Sequence, residues 1–173
     1  MLSIRRIWIP LAAVALAFAA VSVRAEESSF SAKLTGASQV PEPTTSKATG
    51  EVKLVISADG KKISYTLSVE NISNANGADM HLGPNTANGP AVVKLFPVHG
   101  ATARKGDFSG VLSEGTITAA DLAGSMLGSP LADLIEQIRD SNTYVNVHTD
   151  DGTPPANTGP GDYPLGEIRG QIK

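Results

Sequence analysis

Polar and apolar residues alternate with a period of two in three early segments, Phe30-Ser31-Ala32-Lys33-Leu34, Glu51-Val52-Lys53-Leu54-Val55-Ile56 and Ile63-Ser64-Tyr65-Thr66-Leu67-Ser68-Val69. A strand turns successive side chains to opposite faces, so the pattern predicts half-buried strands with one apolar and one wet face. Between the second and third lies Ala58-Asp59-Gly60-Lys61. Its Asp-Gly pair suits the positive φ angles of a tight turn, which predicts a hairpin. Upstream, Val40-Pro41-Glu42-Pro43 is a connection rather than a central strand, because neither proline can donate to a ladder.

Five further short strands are expected at Ala78 to Leu82, Ala91 to Phe96, Phe108 to Leu112, Thr143 to Thr149 and Glu167 to Ile172. The Gly- and Asn-rich stretch from Gly83 to Pro90 reads as an irregular surface loop suited to function. Thr118 can cap a helical turn over Ala119 to Leu122, and Ser129-Pro130 predicts a helix through about Arg139, with Leu131, Leu134, Ile135 and Ile138 on one face. The stretch from Asp150 to Pro164 is too long and too rich in glycine and proline for a tight hairpin, and is expected to be a lid or binding loop. About eight strands with one or two helical insertions predict an all-β fold, an antiparallel Greek-key β-sandwich or flattened barrel.

The N-terminus changes the compartment. Arg5 and Arg6 precede an apolar run from Ile7 to Val21, and Val23-Arg24-Ala25 offers small residues for cleavage, so residues 1–25 read as a signal peptide and residues 26–173 as one domain. The run is shorter than the ~20 residues a spanning helix needs. The chain is thus expected to be exported, periplasmic or secreted, with no stable membrane anchor after cleavage. Without Arg5, Arg6 and Arg24 the fourteen basic residues fall to eleven against seventeen acidic, a formal charge of −6. That balance argues against nucleic acid as a partner. There is no cysteine, which excludes a disulfide framework, a lipoprotein anchor and a thiol nucleophile.

Candidate chemistry centres on two of the three histidines, His81 and His148, each near the end of a predicted strand. Asp79 shares a strand face with His81 by the period of two, so convergence of the two strands would give a His-His-carboxylate set able to hold copper, zinc or iron. The alternative is that each histidine is an ordinary strand residue satisfied by a backbone hydrogen bond. Met80 points to the opposite face and reads as core. His99 is expected in a solvent-exposed loop. Asp150, Asp151 and Asp162 offer oxygens that could bind calcium, but their spacing matches no EF-hand and a solvated acidic loop is expected. Glu167 and Arg169 alternate on one face of the last strand, which predicts either an exposed ion pair of little worth or an arginine that orders the Asp-rich loop. No nucleophile elbow, phosphate loop or dinucleotide fingerprint is present, so catalysis has no recognisable motif. Asn71-Ile72-Ser73 matches a glycosylation acceptor.

Taken in order, Phe30 to Gly36, Gln39-Val40-Pro41, the His81 strand before Asn88-Gly89-Pro90-Ala91-Val92-Val93-Lys94-Leu95, the Thr116 to Leu122 segment and the Tyr144 to Ile172 stretch resemble the CHRD, or chordin-type, domain over nearly all of residues 26–173. In that family the first histidine strand typically reads Ala-His-x-His-x-Gly, and here Asp79 replaces one histidine. A fainter similarity is to copper-zinc superoxide dismutases, which imply a Greek-key barrel. The loop after His81 lacks the further histidines of that family, and Ala91 follows Gly89-Pro90 where a ligand would stand, which argues against dismutation. The resemblance by itself implies little about activity; the placement of His81 and His148 at strand ends beside glycine-rich loops gives the expectation of an exported, non-catalytic CHRD-domain binding module whose His81/His148 region coordinates a transition metal, copper or zinc. The alternatives are a metal-dependent redox enzyme of dismutase-like architecture and an extracellular adhesion or matrix domain whose protein partner is unknown.

Overall fold

In the computed structural model, which describes residues 27–97 and 102–173, the alternating segments become eight strands. They are β1 (Ser28–Thr35), β2 (Thr49–Ile56), β3 (Ile63–Ser73), β4 (Ala75–Leu82), β5 (Ala91–Phe96), β6 (Asp107–Ile117), β7 (Thr143–Thr149) and β8 (Ile168–Gln171). The predicted leader and His99 lie outside the described residues. Among the described residues, no helix is long and apolar enough to cross a membrane.

The strands form one sheet in the order β5-β4-β7-β8-β1-β2-β3-β6, and every neighbouring pair is antiparallel. The hairpin at Asp59-Gly60 joins β2 to β3 as expected, with Gly60 at φ +67°. Non-sequential neighbours such as β3 beside β6 and β8 beside β1 are the crossovers a Greek-key chain requires. The sheet curls until its edges β5 and β6 approach. There the Leu95 carbonyl of β5 accepts hydrogen bonds from the Tyr65 hydroxyl of β3 at 3.0 Å and the Ser113 hydroxyl of β6 at 2.6 Å. The fold is therefore the flattened barrel of the two expected forms, and hydroxyls stitch its seam where no ladder joins β5 to β6.

Inside, Leu34, Leu54, Leu67, Met80, Val147 and Ile168 contribute to one continuous core and are fully buried. With no disulfide, burial of such side chains, at ~1.5–3 kcal/mol each, supplies most of the stabilisation. One helix, α1 (Leu131–Arg139), buries Leu131, Leu134, Ile135 and Ile138 on its inner face. It lies across one barrel end, where Ala132 and Ile135 share a surface groove with Ile56 and the β2–β3 turn. Pro130 stands at the N-cap position and not inside the helix, one residue later than the expected start. The turn at Ala119–Asp121 has the expected Thr118 cap, reinforced by the Asp121 carboxylate.

β6 runs five residues beyond the predicted Leu112. Residues Ser113 to Thr116 pair with Leu67, Thr66, Tyr65 and Ser64 of the long strand β3 beyond a register shift, and that irregularity hides the period in the sequence. The expected exposed ion pair between Glu167 and Arg169 is not formed. Both side chains are buried, at 0% and 1% exposure. The Glu167 carboxylate accepts from Ser46 Oγ at 2.5 Å, Thr149 Oγ1 at 2.6 Å and the Gly161 amide at 2.8 Å. Arg169 reaches the other way, to the loop after β4.

Candidate metal centre

β4 turns Met80 inward, so Asp79 and His81 stand on the outer face of the barrel. β7 pairs with it so that Asp79 opposes Asn146, His81 opposes Tyr144 and His148 opposes Gly77. His81 and His148 are thus four residue steps apart along the ladder, roughly 13 Å at ~3.4 Å per residue. The rings nevertheless close to 6.4 Å between centroids, tilted 46°, because both imidazoles lean inward over Asp79. The His148 ring lies over Gly77, where an added Cβ would meet its Cδ2 at an ordinary contact distance of 3.5 Å.

One ligand atom from each of Asp79, His81 and His148 lies within 4.8 Å of the others. An ion with bonds of ~2 Å spans ligand pairs up to ~4 Å apart, so closure of under about 1 Å by side-chain rotation brings all three into one coordination sphere. The set combines imidazole with one carboxylate, which suits zinc, copper or iron over a hard cation. Three protein ligands leave a fourth position for water.

Backbone carbonyls set the ring orientation. His81 Nδ1 lies 3.0 Å from the Gly89 carbonyl and His148 Nδ1 3.1 Å from the Pro164 carbonyl. A carbonyl only accepts, so each Nδ1 carries a proton, and a ring in its neutral form then has its lone pair on Nε2. The backbone partner expected for each histidine is present, and it leaves the other ring nitrogen free. His81 Nε2 is buried and has no hydrogen-bond partner. His148 Nε2 lies 3.6 Å from Asp79 Oδ2, too long for a hydrogen bond, and the carboxylate attracts the ring only when that nitrogen is protonated. Burial holds His148 below its ordinary value of 6.5, against the opposing pull of the Asp79 carboxylate and the Pro164 bond. The ring is thus neutral and able to bind a metal at neutral pH.

Two loops from opposite sides supply these carbonyls. The loop after β4 is held down by Arg169, which donates to Asn88 Oδ1 at 2.7 Å and to the Pro84 and Ala87 carbonyls at 2.9 Å each. Gly89 is required by close approach, since a Cβ would sit 1.8 Å from the Leu82 carbonyl oxygen. On the other side, Asn146 donates to the Leu165 carbonyl at 3.1 Å and accepts from Gln39 at 2.7 Å, which anchors the loop carrying Pro164.

The CHRD domain model matches residues 30–172. The chain belongs to the CHRD domain family. No curated protein is significantly similar to it. Of the residues singled out in sequence, this CHRD domain brings Asp79, His81 and His148 together on the outer barrel face. Met80 is core, as expected, with no exposure. Arg169 orders a loop, but the one from Gly83 to Pro90 in place of the Asp-rich one. Asp150 and Asp151 are exposed as expected, whereas Asp162 is buried at 3% exposure.

Sequence reasoning assigned no role to Tyr144. Its ring stacks on His81, with centroids 4.8 Å apart and planes within 9°. From the strand on its other side, the Arg169 guanidinium lies 3.5 Å from the same ring's centroid. The Tyr144 hydroxyl also accepts from the Gly89 amide at 3.0 Å, so one side chain fixes both the His81 ring and the peptide that orients it. The signal was present in the alternation, which places Tyr144, Asn146 and His148 on one face of β7.

Proposed function

We propose that this chain is an exported CHRD-domain binding module that coordinates a transition metal, copper or zinc, through Asp79, His81 and His148. The observation that carries the reading is the pair of Nδ1-to-carbonyl bonds, which turns both imidazoles into Nε2 donors beside one carboxylate. Metal-binding histidines are usually oriented in this way by a second hydrogen bond. The export half of the reading rests on the leader-like segment 1–25.

Metal analysis of tag-free protein, alongside His81→Ala and His148→Ala, tests it. About one equivalent of metal is expected in the parent and a loss of tenfold or more in either variant; negligible metal in all three rejects the site. Mass measurement of the protein recovered outside the cytoplasm is expected to give a chain starting at Glu26.

A second reading, a metal-dependent redox enzyme of dismutase-like architecture, draws on the open fourth position of a three-ligand set. It requires turnover that disappears when the metal is removed. Inertness of fully loaded protein toward superoxide and peroxide leaves the binding module as the function.

A further inference from the structure

The long connection between β7 and β8 leaves the barrel at Thr149 and returns at Glu167. Its first residues, Asp150 and Asp151, are exposed, and Asp162 near its end is buried at 3% exposure. One carboxylate oxygen from each lies within 4.8 Å of the others, so three negative charges meet where the two ends of the loop come together. Neither ion pair found among the described residues involves them.

Part of each carboxylate is already engaged. Asp150 Oδ1 accepts from the Gly152 amide and Asp151 Oδ1 from the Thr153 amide, each at 2.7 Å. Asp162 Oδ2 accepts from the amide and hydroxyl of Thr158, at 2.9 and 2.8 Å. Asp162 Oδ1, by contrast, is buried and has no hydrogen-bond partner. A carboxylate oxygen withdrawn from water without a donor is costly, and a cation is the partner that satisfies it and offsets the repulsion among the three groups.

We infer that Asp150, Asp151 and Asp162 form a second cation site, for a hard divalent ion of the calcium type, that clips the two ends of the 150–167 loop together. An all-oxygen donor set selects such an ion over copper or zinc. Calcium–oxygen bonds of about 2.3–2.6 Å span oxygen pairs up to ~4.8 Å apart, and calcium tolerates irregular geometry better than magnesium does. The exposed side of Asp150 and Asp151 leaves room for the waters that complete six to eight ligands. The site shares no residue with the histidine cluster and differs from it in ligand hardness.

Calcium chloride titrated calorimetrically into chelator-stripped protein tests this, with parallel titrations of Asp162→Asn, of the double variant Asp150→Asn/Asp151→Asn, and of His81→Ala/His148→Ala. One saturable site is expected in the parent, with Tm raised by about 5–10 °C at a hundredfold excess over Kd. The double variant changes only exposed side chains and should fold normally while binding calcium at least tenfold more weakly. The histidine variant should bind calcium as the parent does. Absence of saturable heat and of a Tm shift in the parent, or undiminished binding by the double aspartate variant, overturns the site.

Discussion

His148 and Asp79 face each other from neighbouring antiparallel strands, with Nε2 of the ring 3.6 Å from Oδ2 of the carboxylate. Their backbone positions are diagonal and not opposite. The carboxylate therefore sits between the two imidazoles, as a counter-charge to a protonated ring and as a neighbouring ligand to a neutral one.

This relationship fixes a pH dependence. Burial is the largest influence on His148 and places it below 6.5 in the folded protein, so as pH falls the unfolded chain takes up the proton first. The stabilisation from the neutral ring is complete above pH ~6.5 and is lost as pH falls toward the folded value, with a slope of at most about 1.4 kcal/mol per pH unit. Urea denaturation from pH 7.5 to 5 should show that slope in the parent and a shallower one in His148→Gln. Asp79→Asn removes the attraction that opposes burial, so NMR titration should find His148 lower still; a higher value would contradict the geometry.

Arg169 is the main strut of the loop that orients His81. Arg169→Ala leaves Asn88 Oδ1 and the Ala87 carbonyl without a donor, the Pro84 carbonyl with only the Ala87 amide, and the Tyr144 ring without its guanidinium, a cost of about 3 kcal/mol. Arg169→Lys should recover little of this, because an ammonium cannot reproduce the planar fork. Chemical denaturation measures the loss, and limited proteolysis should show new cleavage between Gly83 and Pro90.

Glu167 holds three donors from three separate segments. Glu167→Gln replaces one acceptor oxygen with an amide that faces a donor, which should destabilise the fold by about 2–3 kcal/mol. Loss of midpoint in a denaturation curve at unchanged m-value is the expected signature. An unchanged midpoint would mean the network carries little stability.

The barrel seam yields a coupling. Tyr65→Phe or Ser113→Ala alone leaves the Leu95 carbonyl with one donor, at a cost of about 1 kcal/mol each. The double variant leaves it buried and unpaired, so the combined loss should exceed the sum of the single losses by at least about 0.5 kcal/mol. Strict additivity in a double-mutant cycle would mean that the two hydroxyls act independently.

Local pattern made much of this protein legible in advance. Alternation located all eight strands, Asp59-Gly60 the hairpin, and the apolar face of α1 its burial, because each depends on residues near in sequence. It also put Asp79 and His81 on one outward face and Met80 inside, since side-chain direction follows from period two alone. Ser113 to Ile117 escaped because a register shift interrupts the period.

What the sequence could not decide was where separate strands meet. Whether His148 comes beside Asp79 depends on the β4–β7 register. The roles of Glu167, Arg169 and Asp162 were likewise closed to a local reading, because an alternating strand position marks a face without saying whether a loop covers it. The sequence alone determined the strands, the inward and outward faces and the identity of the possible ligands. Only the tertiary structure decided that the outer face of β4, β7 and β8 is roofed by two loops, because that burial comes from contacts between residues far apart in sequence, as in the Gln39–Asn146 bond across 107 positions.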